Sequence, residues 1–135
     1  MEPIQIVNAA LATLALLVQR IIYPAFKDVN KIRFIDWHTW YTARIGQIVA
    51  PLMLVQLGWY AYAFWMNPTF IWQGVLLLMV VLTWLDTFIR AVPLHGKLAS
   101  IIEADEREQA FQKLLSVNRP RTLLWLGIIM LEILK

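Results

Sequence analysis

The chain has 135 residues, 60% of them apolar and only 16% charged, with a mean hydropathy of +0.61; a soluble domain runs nearer half apolar and a quarter charged, so water alone is excluded as its solvent. It contains no cysteine, which excludes disulfides, thiolate metal sites, Fe–S clusters and CxxC redox chemistry. The net charge of +3 and pI near 9.5 do not point to nucleic acid, because the basic residues flank apolar spans, where the positive-inside rule accounts for them.

The first apolar stretch is expected to stay on the mature protein: Glu2 opens it, no basic segment precedes it and no small-x-small cleavage site follows. The first predicted span covers about 3–23, with Pro3 in its first turn and Pro24 just past its end. Asn8, Ala12, Ala15, Gln19 and Tyr23 form one small and polar stripe that should face other helices. After a basic connector, Lys27 to Arg33, a second span is predicted over about 38–65. Asp36, His38 and Arg44 fall at its headgroup end, Pro51 is expected to kink it, and Trp59, Tyr60, Tyr62, Trp65 and Trp72 read as an aromatic belt at the far interface.

A third span, about 70–91, should stop before Pro93. Leu98, Ile101, Ile102, Phe111, Leu114 and Leu115 then suggest short amphipathic helices on the membrane surface, with Glu103, Asp105, Glu106 and Glu108 on a solvated face. The fourth span, about 120–134, is expected to begin with Pro120 in its first turn. The fold class is thus all-α: one integral-membrane four-helix bundle over residues 1–135, with short amphipathic helices between helices 3 and 4. Every Lys and Arg except Lys135 lies between Arg20 and Arg44 or between Arg90 and Arg121. The positive-inside rule therefore places both connectors in the cytoplasm and both termini outside it, as in a bacterial inner-membrane protein.

Ionisable groups inside spans are functional candidates by default. Asp86 and Arg90 sit at the i,i+4 spacing of an intrahelical ion pair, and Tyr41, Arg44 and Gln47 recur at steps of three. His38 opens the second span and His95 follows the third, so the chain's two imidazoles share one membrane level. They are the candidate general bases. As an alternative they are candidate ligands for haem iron, or for a non-haem metal joined by Asp36, Glu103 or Asp105.

The segment Val92-Pro93-Leu94-His95-Gly96-Lys97-Leu98, followed by Asn118-Arg119-Pro120-Arg121-Thr122, resembles the anthrone-oxygenase-like family of small four-helix membrane proteins. That family carries Val-Pro-Leu-Asn-Asn-x-Leu after its third helix and Asn-x-x-Arg-Thr at the start of its fourth. Tyr23-Pro24-Ala25-Phe26 is similar to its Pro-Ala-Leu element. The resemblance implies roles for Pro93, Leu94, Leu98, Asn118, Arg121 and Thr122, with His95 standing where the family has an Asn.

Three function classes follow. In the first, a small hydrophobic ligand, aromatic or quinone-like, enters between helices and presents a polar edge to His38, Tyr41, Arg44, Asp86, Arg90, His95, Asn118 and Arg121. His38 or His95 would act as base, while Arg90 and Arg121 hold an oxyanion. In the second, the chain is an accessory subunit or scaffold whose seven Trp anchor it in a membrane complex or homo-oligomer. The third, a transporter, would need several copies to build a pathway. Phosphate-binding Gly loops and GxSxG are absent from the sequence.

Overall fold

The computed structural model describes residues 2–68, 71–100 and 104–134. It contains four long helices: α1 (Pro3–Asp28), α2 (Phe34–Met66), α3 (Ile71–Leu98) and α4 (Ala104–Leu134). Helix α1 packs on α2 and α4, and α3 packs on the same two, so the bundle closes as a ring with α1 and α3 diagonally opposed. Buried side chains form two clusters. One surrounds Phe26, Phe34, Leu98 and Leu114 near the connectors; the other surrounds Leu11, Met53, Leu76, Val80 and Ile128 toward the opposite end.

Three helices, α1 to α3, are long and apolar enough to cross a bilayer. Their outward faces are oily: Ile6, Leu54, Val55, Leu78 and Ile89 are all more than half exposed. On a soluble protein so much exposed apolar surface would drive aggregation, and lipid is the solvent that removes the penalty. The chain is an integral membrane protein. Helix α2, with 33 residues, is about 50 Å long and outreaches a hydrocarbon core of about 30 Å, and it runs unbroken through Pro51.

Three boundaries differ from the sequence expectation. Pro24 and Pro93 do not end α1 and α3, which continue to Asp28 and Leu98. Nor does Pro120 start the fourth helix: the charged stretch from Ala104 runs into the apolar one as a single 31-residue helix with Pro120 inside it. The amphipathic part is therefore an extension of α4 rather than a separate surface helix. Its Ala110, Phe111, Leu114 and Val117 are buried in the connector-end core, and this packing outweighs the bond that proline cannot make. Ile101, Ile102 and Glu103 lie outside the described residues.

The extension is tied to α1 by an exposed ion pair, Lys27 Nζ to Glu108 Oε1 at 2.8 Å, with Gln112 Nε2 donating to the same oxygen at 2.9 Å. The hydrogen bond from Lys27, aided by Gln112, holds the Glu108 carboxyl below its ordinary value of 4.5. A depressed folded-state value stabilises above the unfolded one and is lost as pH falls through the folded one. The gap in unfolding midpoint between wild type and Glu108→Gln is therefore expected to be small and present above pH 4.5, and to close on acidification.

Candidate ligand-binding cavity

The two prolines that fail to stop their helices shape the interior. Each follows a widened, π-helical turn at the same spacing: Val18–Ile22 before Pro24, and Thr87–Ala91 before Pro93. Tyr23 N–H bonds to Val18 C=O and Val92 N–H to Thr87 C=O, five residues back. A proline ring collides with the carbonyl four residues before it, and a wider turn makes room for the ring without breaking the helix. Such turns recur at functional sites. Here Val18, Tyr23, Thr87, Ala91 and Val92 all line a cavity of about 610 Å³.

Most of its wall is apolar, from Leu11, Leu14, Val18, Ile45, Val49 and Trp125. Polar groups gather at the connector end. Tyr23 Oη lies 3.0 Å from His95 Nε2, and His95 Nδ1 lies 3.0 Å from His38 Nε2, a continuous three-ring chain. Two neutral imidazoles can bond this way in either direction. If His95 donates to Tyr23, the phenol O–H is free to donate into the cavity; if Tyr23 donates to His95, its oxygen is left as an acceptor. The site can therefore offer a ligand either a donor or an acceptor at one position.

An aromatic plug separates this chain from the connector side. Phe26 makes edge contacts with Phe34, Trp37, His38, Tyr41 and Phe111, and Phe34 stacks on His38 at 5.5 Å. His38 is only 1% exposed, and its Nδ1 has no hydrogen-bond partner among the described residues.

Opposite stands Arg121. Its Nη2 donates to Asn118 Oδ1 at 2.7 Å and its Nη1 to Thr87 Oγ1 at 3.4 Å, while Nε lies 3.5 Å from Asp86 Oδ2. Asn118 Nδ2 reaches back to Gln19 Oε1 at 2.9 Å and Ala15 C=O at 3.3 Å, which fixes α4 against α1. Arg121 is close enough for its charge to act on Tyr23, Tyr41 and His95.

Of the residues singled out from sequence, His38, Tyr41, His95, Asn118 and Arg121 line the cavity. Asp86 stands behind Arg121. Arg44 and Arg90 are on the exposed surface, Arg90 paired with Asp86 at 2.8 Å. As metal ligands the two histidines fit poorly. Axial nitrogens on opposite sides of one iron stand about 4 Å apart, given metal–nitrogen bonds of about 2 Å, whereas these are 3.0 Å apart and bonded to one another. Among the described residues no group of three His or acidic side chains gathers to hold an ion. Asp36 and Asp105 are exposed.

Sequence reasoning missed a second polar network, deeper in the bundle. Trp125 Nε1 donates to Gln56 Oε1 (3.4 Å), Gln56 Nε2 to Asn8 Oδ1 (2.8 Å), Asn8 Nδ2 to Tyr60 Oη (2.7 Å), and Tyr60 Oη to Glu132 Oε1 (2.8 Å). All five side chains are buried, and every donor points toward the carboxylate. Aligned dipoles of this kind polarise one another and stabilise negative charge at the accepting end. Asn8 was legible as part of an inward stripe, but Tyr60 was read as an aromatic-belt residue and Gln56 was not singled out.

No family model, curated protein or solved structure matches the chain. What fold and site together define is a class: an all-α membrane bundle enclosing an apolar cavity with a polar end. The resemblance to anthrone-oxygenase-like proteins rests on the quoted segments alone.

Proposed function

We propose that the protein binds, and acts as a proton donor or acceptor toward, a small hydrophobic molecule held in the cavity between α1 and α3. The observation that carries this reading is the convergence of Tyr23, His95, His38 and Arg121 on one end of an otherwise apolar space of about 610 Å³, within the range of small-molecule sites. Apolar walls hold the body of the ligand. Its polar edge meets the Tyr23 hydroxyl, which the imidazoles can set as donor or acceptor, while Arg121 stabilises an oxyanion. In this role Arg121 replaces Arg90, whose side chain is about half exposed. An aromatic or quinone-like ligand suits Trp125 and the Tyr23 edge.

In this reading the basic connectors, by the positive-inside rule, favour the cytoplasmic leaflet for this end and the other side for both termini. Purification in mild detergent followed by native mass spectrometry tests the proposal. A bound apolar molecule is expected in the wild type and lost in His95→Ala and Tyr23→Phe, with the fold retained by circular dichroism. A wild type that carries no such molecule, or variants that keep it in full, would overturn the reading.

A further inference from the structure

The charge balance at the cavity's polar end, together with the route into it, narrows the ligand class. Asp86 is one carboxylate facing two guanidiniums: Arg90 Nη1 at 2.8 Å on Oδ1 and Arg121 Nε at 3.5 Å on Oδ2. The other titratable groups about Arg121 are Tyr23, Tyr41, His95 and, beyond it, His38. The histidines share a hydrogen bond in which one nitrogen must accept, so they cannot both be cations. One positive charge is left over. Arg121 also keeps donors in hand: its guanidinium bonds Asn118, Thr87 and the Tyr23 hydroxyl, and among the described residues its Nε–H, 3.5 Å from Asp86, makes no hydrogen bond.

The way in is sideways. Ala43 and Gly46 on α2 and Val92 and Gly96 on α3 line the cavity and are themselves exposed. A Cβ added at Gly46 or Gly96 would meet nothing within 4 Å, so small residues on facing helices leave a slot. The slot lies in helices of membrane-spanning length and apolarity, while the aromatic plug around Phe26 covers the connector end. Lys97 beside Gly96 is exposed and marks the headgroup level, whereas Leu11, Val49 and Trp125 lie deeper. A molecule entering here would keep its head at the interface and lay its tail toward the midplane.

We infer that the ligand is a single-chain amphiphile with one acidic oxygen, taken laterally from the bilayer, its anionic head on Arg121 and its hydrocarbon against Trp125. This rests on the pocket of the proposed function and puts an acid-headed chain in place of an aromatic or quinone-like ligand. The test compares radiolabelled palmitate with hexadecanol, equal in chain and different in head, on wild-type protein in phosphatidylcholine nanodiscs. Saturable palmitate binding about tenfold tighter than that of the alcohol is expected, the scale of one charge-assisted hydrogen bond. Arg121→Gln should erase that preference while keeping hexadecanol binding, and Gly46→Leu should slow the entry of both while leaving Arg121 untouched. Equal binding of the two probes, or a preference that survives Arg121→Gln, would overturn the acid-specific inference and leave the hydrophobic pocket standing. Failure of both to bind would overturn the single-chain assignment, whereas the copurification experiment decides the pocket itself.

Discussion

Replacing Asp86 by asparagine is expected to destabilise the protein by about 2–4 kcal/mol, since a buried charge left without its partner costs about 3–5 kcal/mol and this one keeps some solvent. The carboxylate and the Arg121 side chain are 10% and 11% exposed. Without Asp86, Arg121 retains the neutral oxygens of Asn118, Thr87 and Tyr23. The same carboxylate also meets Arg90, but that side chain is 48% exposed, so Arg90→Gln should cost less than about 1 kcal/mol. Combining Asp86→Asn with Arg121→Met should recover most of the loss, because an ion pair replaced at both ends by shape-matched neutral groups is tolerated. Reversible unfolding in mixed detergent micelles measures all three. Equal costs for Asp86→Asn and Arg90→Gln would refute the assignment of Asp86 to Arg121.

Tyr60→Phe should cost about 2–4 kcal/mol, because two buried groups lose their partner at once and each such loss costs about 1–3 kcal/mol. Asn8 Nδ2 would lose its acceptor at 2.7 Å, and Glu132 the hydroxyl that donates to its Oε1 at 2.8 Å. Phenylalanine fills the same space, so lost packing contributes little and the hydroxyl is the quantity measured. In a double-mutant cycle with Glu132→Leu, the pair should show coupling of about 1 kcal/mol or more. Additive costs would mean that Tyr60 and Glu132 do not interact in the folded protein.

Much of the bundle was legible because its signals are long: three apolar stretches of spanning length, and charges segregated to two connectors. His38 and His95 could be set at one depth from threading alone, and the structure brings them to 3.0 Å. Less legible were the helix ends, where a rule about proline misled. The rule concerns a 3.6-residue helix, and at Pro24 and Pro93 the preceding turn is wider. A signal existed in the stripe Thr83, Thr87, Ala91, His95, whose steps of four drift by about 40° each on a regular helix and are brought back toward one face by a widened turn. Pro120 misled for another reason: packing of Phe111, Leu114 and Val117 carries α4 past it. Arg44 was placed by periodicity on the face of Tyr41, yet only Tyr41 turns inward. Gln56 could not be distinguished from a lipid-facing polar residue, since its partners Asn8 and Trp125 come from distant parts of the chain.

Trp125 belongs to both polar centres, offering its ring to the cavity and its N–H to Gln56. Arg121 and Glu132 are eleven residues apart on α4, about 16 Å along its axis. An occupant that tilts the indole would thus disturb the first link of a relay whose carboxylate lies about three helical turns from Arg121, so that filling the cavity is felt as a change of field at the other end of the bundle.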